Sequence, residues 1–475
     1  MYRPSLQAGA ILVVTLGFVA CRSDAPVTSE PLGTPTFALT AGEAAAAIPG
    51  QYLVLFKGAR DASLSFRTQV GFLGGTVART FPQVGIAVVS GLDPARARLL
   101  ARRTDVQVVE PDVILRLEPA VAREIEPVVD DIQTATQPAL AAAFALQWNM
   151  RAIRAEEAWS AGHLGSADVS IAILDTGIDY LWPDLLGRVD LARSRSFVPE
   201  DDAIVAAVFP GRHVVSDLVF HGTHVANTAV SNSNITAGVT TRTTLIGVKV
   251  CGLTVGCRGS AVLGGILYAA DAGAHIANVS LGGAFSKDSP PFRGLVSIFN
   301  RVANYANTRG TLLVVAAGND TSDMDHDGAT FNTYCDAPNV VCVSATGPTA
   351  AGSVIGPFTN VDAPTGYTNF GRSAISVAAP GGSDAAVVWA ACSRTTLVTV
   401  PDLSACRSGF FLLGLGGTSM AAPHASGVAA LIAAQVGRNP ALIRARLQQS
   451  ADDLGQPGTD PFYGKGRVNA ARAAM

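Results

Sequence analysis

Four short runs of almost uninterrupted apolar residues lie between positions 169 and 319, and three of the four end in a small or polar residue. Such runs are typical of strands buried on both faces, as in a parallel sheet covered by helices. Helical patterns separate them, so we predict an α/β domain whose functional groups collect at the carboxyl ends of the strands. The runs are Val169–Gly177, Thr244–Val250, Ala274–Gly283 and Thr311–Asn319.

A smaller unit is predicted for residues 48–118. Its patterns follow the order strand, helix, strand, strand, helix, strand, which is the split βαβ arrangement of a small α+β, ferredoxin-like domain. The second helix is expected to begin at Asp93, a good N-cap residue, with Pro94 at its first position. The flanking stretches 22–47 and 119–145 are rich in Pro, Thr and Ala. They are predicted linkers, and the second is also a predicted cleavage region.

The first 21 residues are predicted to be a signal for export. Arg3 precedes an apolar run from Ala8 to Ala20 that is too short to span a bilayer comfortably. The ending "FVAC" resembles a bacterial lipobox, in which Cys21 would be lipidated; cleavage by ordinary signal peptidase nearby is the alternative. We therefore expect an exported protein, either secreted or lipid-anchored at the bacterial cell envelope. No transmembrane segment is predicted after residue 21.

Composition narrows the function classes. Of the 475 residues 48% are apolar and 15% are charged, which permits a large core and argues against global disorder. The formal net charge of −3 argues against a nucleic-acid partner and against a polybasic membrane patch.

The chain has seven cysteines, and export makes disulfides permissible. Setting Cys21 aside leaves six that lie in three neighbouring pairs, with no zinc-like spacing. Among the connectivities that six cysteines allow, we expect Cys251–Cys257, Cys335–Cys342 and Cys392–Cys406.

Polar residues at separate strand ends and helix starts form a set that acyl transfer requires. Asp175, His221 and Ser419 supply a carboxylate, an imidazole and a hydroxyl, and Asn319 supplies a side-chain amide. A serine attacks only when a base takes its proton, the base needs a carboxylate to hold its tautomer, and the oxyanion needs preset donors. Taken alone, Asp175 could be a turn or cap residue, but the joint occurrence favours chemistry.

The chain order Asp, His, Ser separates this set from two other hydrolase classes. The α/β-hydrolases run Ser, Asp or Glu, His, and chymotrypsin-like proteases run His, Asp, Ser. The serine also lacks the G-x-S-x-G elbow, because Ala421 stands where the second glycine would be.

Several motifs in order resemble those of the subtilases, the subtilisin-like serine endopeptidases. They cover the chain from Gln147 to its end, so residues 146–475 resemble the catalytic domain and residues 48–118 the inhibitory propeptide. The motifs are "DTGID", "HGTHVANT", "SLGG", "AAGN", "NFG", "VAAPGG", "GTSMAAPHASG" and "YGKGRVNAARAA".

The resemblance implies a secreted serine endopeptidase that processes itself from a prepro-form. Asp175 would orient the imidazole, His221 would be general base and then acid, and Ser419 would be the nucleophile. Asn319 and the Ser419 backbone N–H would form the oxyanion hole. The implied partners are protein or peptide substrates and the chain's own propeptide, and a monomer is expected.

The resemblance also implies the binding surface for substrate. An extended substrate backbone would pair with Ser280, Leu281 and Gly282, which with Ala317 and Gly318 would border the P1 pocket. Apolar or aromatic P1 residues are the family's default preference. No cofactor would be needed for catalysis.

Four residues near these motifs need separate interpretation. Asn227 stands where the family usually has Gly, and Trp182 stands where a His is common. His224 and His424 are interpreted as packed helix residues. Pro423 is expected in the first turn of the helix after Ser419, where a missing N–H costs nothing.

The stretch "TSDMDHDGAT" places Asp323, Asp325 and Asp327 at alternate positions before Gly328. This pattern resembles the first half of a Ca²⁺ loop, and the family often uses Ca²⁺ to hold surface loops. No glutamate stands at the twelfth position, so a full EF-hand is excluded. A structural Ca²⁺ site and a solvated acidic loop both remain open.

Two other functions are weighed against the endopeptidase. A catalytically silent subtilase fold could act as a binding module, and a structural lipoprotein could carry the "FVAC" signal. The complete set of Asp175, His221, Asn319 and Ser419 argues against both.

Overall fold

The computed structural model describes residues 46–117, 123–128, 137–288, 292–399 and 403–475. The predicted signal, Cys21 and nearly all of the first predicted linker lie outside these ranges. All described residues belong to one compact unit.

The strands and helices are numbered in chain order. The strands are β1 Ala46–Phe56, β2 Thr76–Phe81, β3 Ile86–Ser90, β4 Val106–Leu117, β5 Arg123–Pro127, β6 Ser170–Asp175, β7 Arg195–Ser196, β8 Thr244–Lys249, β9 Cys251–Gly252, β10 Gly256–Arg258, β11 Ile276–Val279, β12 Leu281–Gly282, β13 Ala284–Ser286, β14 Leu312–Ala316, β15 Thr330–Asn332, β16 Val341–Gly347, β17 Ala350–Ala351, β18 Phe358–Thr359, β19 Ala363–Pro364, β20 Val377–Pro380, β21 Val388–Ala391 and β22 Phe411–Leu415. The α-helices are α1 Leu64–Phe72, α2 Pro94–Leu100, α3 Trp148–Ala152, α4 Ala155–Ser160, α5 Pro199–Val208, α6 His221–Ala229, α7 Gly259–Asp271, α8 Leu295–Thr308, α9 Thr418–Val436, α10 Pro440–Gln449 and α11 Ala470–Ala473.

The N-terminal unit comprises residues 46–117. Its strands pair antiparallel in the order β2-β3-β1-β4. Ser63 caps α1 by accepting from Phe66 N, and Asp93 caps α2 by accepting from Arg96 N at 2.8 Å, as is usual for such side chains. The unit has its own small core, in which the rings of Phe56 and Phe66 meet edge to face.

Residues 146–475, which resemble a subtilase catalytic domain, are called the catalytic region. This region contains an eight-stranded sheet in the order β19-β16-β14-β11-β6-β8-β7, with β20 also paired to β16. All these pairings are parallel except that of β19. The four apolar runs of the sequence supply β6, β8, β11 and β14. The predicted α/β fold with a mostly parallel sheet is therefore confirmed.

Helices cover both faces of this sheet. Alternate residues of β6 enter two different cores, because successive side chains of a strand point to opposite faces. Ile171 and Ile173 join the core shared with α6, α9, α10 and α11. Ala172 and Leu174 join the core shared with α7, α8 and the N-terminal unit.

Two segments from the N-terminal part of the chain add strands to the catalytic region. The end of β4 pairs with two strands of the catalytic region. Leu115 lies opposite Cys257 of β10, and Leu117 lies opposite Leu281 of β12. Strand β5 pairs antiparallel with β22, which also pairs with β21. Part of the predicted linker 119–145 is therefore a paired strand, because the edge of β22 offers it main-chain hydrogen bonds.

Three disulfides join Cys251–Cys257, Cys335–Cys342 and Cys392–Cys406, which are the predicted pairs. None of the described helices has the length and apolar character needed to cross a membrane.

Candidate active site

Asp175 and His221 meet at the carboxyl end of the sheet. Asp175 is the last residue of β6, and His221 is the first residue of α6. His221 Nδ1 lies 2.8 Å from Asp175 Oδ1, and both side chains are buried. The close approach explains Gly222, since a Cβ there would lie 2.2 Å from the carbonyl oxygen of Gly177 and 3.0 Å from Asp175 Cβ.

A second carboxylate, which no sequence motif had indicated, holds this pair in place. Asp217 Oδ1 accepts from Thr176 Oγ1 at 2.8 Å, and its Oδ2 accepts from Thr223 N and Oγ1. Thr176 Oγ1 in turn accepts from Gly222 N at 2.9 Å, so the network ties the end of β6 to the start of α6. Complete burial raises the pKa of Asp217, while the hydrogen bonds it accepts oppose that rise. An acidic residue four positions before His221 was the signal available in the sequence.

Ser419 and Ser280 exchange hydrogen bonds across the site. Ser419 Oγ donates to the Ser280 carbonyl at 3.1 Å, and Ser280 Oγ donates to the Ser419 carbonyl at 2.9 Å. Both residues are buried.

The position expected for Pro423 was wrong. Helix α9 begins at Thr418, so Pro423 lies inside the helix rather than in its first turn. A proline there cannot donate to the carbonyl four residues earlier, which is that of Ser419. The Ser280 hydroxyl supplies the missing donor.

Asn319 lies where β14 has ended, next to the start of α9. Its Oδ1 accepts from Thr418 N and from Thr418 Oγ1, both at 2.9 Å. Two donors on the oxygen fix the plane of the amide and leave Nδ2 as its donating side. Thr418 Oγ1 also accepts from Gly318 N at 3.1 Å, so one threonine orders the end of β14 and the residue before Ser419.

The predicted substrate-binding residues emerge side by side. Strands β11 and β14 pair in parallel with Val279 opposite Val315, so Ser280–Gly282 and Ala317–Gly318 continue from neighbouring strands. Gly318 has φ 103°, and a Cβ there would lie 2.4 Å from Asn369 Nδ2. Only glycine suits both the conformation and the space.

His224 and His424 are buried and structural, as their sequence context predicts. His224 Nε2 lies within 3.0 Å of the carbonyls of Val388 and Leu413, and burial lowers the pKa of His224 to about 3. His424 bonds Met420 O and Asn149, and burial lowers its pKa to about 4. Both rings are therefore neutral at pH 7.

The two departures from the subtilase pattern have contacts with the hairpin of β21 and β22. Asn227 Oδ1 accepts from Ala391 N at 2.9 Å and from Thr236 Oγ1 at 2.7 Å. The ring of Trp182, fully buried, meets the ring of Phe410 edge to face at 5.1 Å.

The three aspartates of the acidic loop do not converge on one point. Asp323 accepts from His326, Asp325 accepts from the backbone of Arg372 and Ser373, and Asp327 accepts from Asn332. In the described ranges no three His, Cys, Asp or Glu side chains gather closely enough to hold a metal ion. The carboxylates thus cap the loop, and the residues present do not fit the candidate Ca²⁺ site.

Comparison with known proteins identifies the family. The model of the subtilase family matches residues 166–466, which is well over half of the chain. The chain is a subtilase. It is therefore a serine-type endopeptidase, as the sequence resemblance implies.

Two similar proteins are thermitase and a thermophilic serine proteinase. This subtilase is 30% identical to thermitase from Thermoactinomyces vulgaris over 332 residues, covering 69% of this chain and 96% of thermitase. It is also 30% identical to the thermophilic serine proteinase of Bacillus sp. strain AK1 over 312 residues, covering 65% of this chain and 62% of that protein.

A solved structure shows the same fold. The epidermin leader-peptide-processing serine protease of Staphylococcus aureus superposes with a TM-score of 0.68, over 89% of this chain and 97% of that one. The two sequences are 20% identical, so this likeness concerns the fold alone.

Proposed function

We propose that this subtilase hydrolyses peptide bonds with Asp175, His221 and Ser419 as its triad and Asn319 in its oxyanion hole. The observation that carries the proposal is the 2.8 Å hydrogen bond between His221 Nδ1 and Asp175 Oδ1 at the end of β6. A carboxylate only accepts, so Nδ1 carries the proton and the lone pair is on Nε2. That tautomer is the one a general base needs.

In the proposed reaction Nε2 takes the proton of Ser419 Oγ as the oxygen attacks the substrate carbonyl. The same nitrogen then returns the proton to the leaving amine, and water repeats the sequence on the acyl-enzyme. The Ser419 hydroxyl donates to the Ser280 carbonyl, so this hydrogen bond must break before Nε2 can take the proton.

The Asn319 amide would stabilise the oxyanion together with the backbone N–H of Ser419. Its Nδ2 is held in direction by the two hydrogen bonds on Oδ1, so no reorganisation is needed when charge develops. The start of α9 adds a favourable helix dipole at the same point.

Substrate would bind as an extended strand at Ser280–Gly282, beside Ala317 and Gly318. The pairing of β4 supports this, because Leu117 and Arg116 already lie antiparallel to Leu281 and Gly282. Main-chain hydrogen bonds of this kind tolerate many side chains.

We further propose that residues 48–118 are an inhibitory propeptide of an exported precursor that cleaves itself. The end of β4 occupies the strand position that substrate would take. Two acidic residues of β4 support docking: Asp112 Oδ1 accepts from Ser260 N in α7 at 3.0 Å, and Glu110 Oε1 accepts from Gly294 N, the cap of α8, at 2.7 Å. Each carboxyl oxygen gives a hydrogen-bond partner to a main-chain N–H at the start of a helix, where such groups have no partner within the helix.

The test is the Ser419→Ala variant, compared with wild type for precursor processing and for hydrolysis of casein. Processing and hydrolysis should both disappear, and intact mass with N-terminal sequencing of the wild type should report the site of cleavage and any lipid on Cys21. Unchanged processing by the alanine variant would refute the proposal. The proposed reaction uses no calcium, so activity should survive in EDTA.

A further inference from the structure

Strand β5 shows that the edge of β22 accepts an extended chain near Ser419. Five residue pairs are in register, from Phe411 opposite Pro127 to Leu415 opposite Arg123. Leu415 precedes Ser419 by four residues, which limits their Cα separation to about 14 Å. Only five residues join Leu117, which pairs with Leu281, to Arg123. One chain segment therefore links β12, where substrate residues before the scissile bond would bind, to β22.

The direction of the hydrogen bonds follows from one further contact. Val128 N donates to the Phe410 carbonyl at 2.9 Å. Because hydrogen-bonded pairs alternate in an antiparallel ladder, Glu124 and Glu126 also direct their N–H groups to β22. The N–H groups of Arg123 and Ile125 point away from β22. Position 127 also faces away, and proline has no N–H there. The proline thus stands where the ladder needs no donor.

The hairpin of β21 and β22 is hydrogen-bonded to α6, the helix that begins at His221. His224 Nε2 donates to carbonyls on both strands, those of Val388 and Leu413. Asn227 binds the end of β21 through Ala391 N. Trp182 packs on Phe410, the residue before β22, and the Cys392–Cys406 disulfide closes the far end of the hairpin. Both departures from the subtilase pattern therefore stabilise this one element.

We propose that the edge of β22 is a binding strand for the part of a polypeptide substrate that follows the scissile bond, over at least five residues. This inference rests on the proposed endopeptidase function and specifies its substrate class. The preferred substrate is a long, extended polypeptide, bound on both sides of the cleaved bond. Specificity on this side comes from the main chain, with proline tolerated only at positions equivalent to Arg123, Ile125 and Pro127.

The chain's own β5 would compete for this site after self-cleavage, because it stays attached to the catalytic region. A variant with Glu124→Pro and Glu126→Pro removes the two donors of β5 and frees the edge. The assay therefore uses the mature wild type and this variant in parallel.

The substrates are synthetic peptides with the sequence of residues 111–128 and of residues 111–123. Cleavage between positions 118 and 123 is followed by mass spectrometry. The longer peptide should have the higher kcat/KM, by about threefold to tenfold for each hydrogen bond gained. N-methylation at Glu124 or Glu126 should remove most of that gain. N-methylation at Ile125 is the matched control and should have little effect.

Equal kcat/KM for the two peptides, in both enzymes, would overturn the binding strand. The same holds if methylation at Ile125 is as harmful as methylation at Glu124. In either case hydrolysis that depends on Ser419 would leave the proposed function standing. Absence of any Ser419-dependent cleavage would instead refute the proposed function itself.

Discussion

The two strands that the N-terminal part of the chain adds to the catalytic region, β4 and β5, differ in what stands behind them. Strand β4 belongs to a folded unit with its own core and docks through Asp112 and Glu110, and Arg301 of α8 donates to the Phe56 carbonyl of the same unit. Strand β5 is described by its main-chain pairing with β22, over five residue pairs. The first contact includes side-chain hydrogen bonds and burial, and the second is a main-chain ladder.

With the proposed roles of the two strands, one protein could be inhibited by its own folded unit and still bind varied substrates. A folded unit contributes buried surface and charge to one contact, so its affinity can be high and specific to its own partner. A bare strand offers hydrogen bonds that any extended chain can make.

The largest effect is expected for Ser419→Ala. Loss of the nucleophile in subtilisin itself reduces kcat by about 10⁶-fold, and self-cleavage should be abolished here. The uncleaved chain should then keep both β4 and β5 in place, which protection of their amides from hydrogen exchange would show. Rapid exchange at both strands in this variant would contradict the arrangement.

Asn319→Ala should lower kcat by about 10²–10³-fold with little change in KM, the size known for such a donor in subtilisin. Neither strand depends on Asn319, so inhibitor affinity should stay the same while turnover falls. Thr418→Val keeps the amide but removes the hydroxyl that orients it, and we expect a smaller loss of kcat. A rise in KM without a fall in kcat would show that Asn319 binds the ground state instead.

Release of the N-terminal unit after self-cleavage should depend on pH. Burial in the complex raises the pKa of Glu110 to about 7 from an ordinary value of 4.5, with the Gly294 N–H opposing. The complex therefore binds a proton that the separated unit does not hold, and its affinity should fall as the pH rises from 4.5 to 7. Burial also raises the pKa of Asp112, which adds a contribution of the same sign.

Gel filtration of the self-cleaved complex at pH 5 and pH 8 measures this effect. Glu110→Gln should reduce the difference between the two pH values, since the amide cannot titrate. A complex that tightens toward pH 8 would show that the helix dipole of α8 outweighs burial at Glu110.

Asn227→Gly should give the smallest effect, on stability. The change leaves two buried donors without their acceptor and places glycine within a helix, for a loss of about 1–3 kcal/mol in unfolding free energy. Thermal unfolding measures it, and Asn227→Asp, which retains the accepting oxygen, is the control. If the glycine variant unfolds at the wild-type temperature, the hairpin does not need Asn227.

Most of the fold could be predicted because its signals are local. Apolar runs marked the central strands, and Asp93 with Pro94 marked the start of α2. The disulfides follow from cysteines that are close in sequence. The sheet edge at which Asp175 and Asn319 lie follows from parallel strands ending together.

The remainder depends on contacts between distant segments. Strand β5 finds β22 nearly 290 positions later, and nothing within residues 123–127 identifies that edge. Asp217 gains its role only when Thr176 and Thr223 surround it. The alternate aspartates matched an ion-binding pattern, but backbone donors of Arg372 and Ser373 compete for Asp325. The first residue of α9 decided the environment of Pro423, and a sequence pattern fixes such boundaries poorly.

The reciprocal hydrogen bonds between Ser280 and Ser419 couple the residue that we propose binds the substrate backbone to the proposed nucleophile. Ser280, which we propose binds the substrate backbone, also replaces the donor that Pro423 cannot provide. Any change at Ser280 meant to alter recognition would also move the carbonyl and hydroxyl of the nucleophile. Directed evolution of this enzyme should therefore find new specificities at the pocket walls, such as Ala317, and rarely at Ser280.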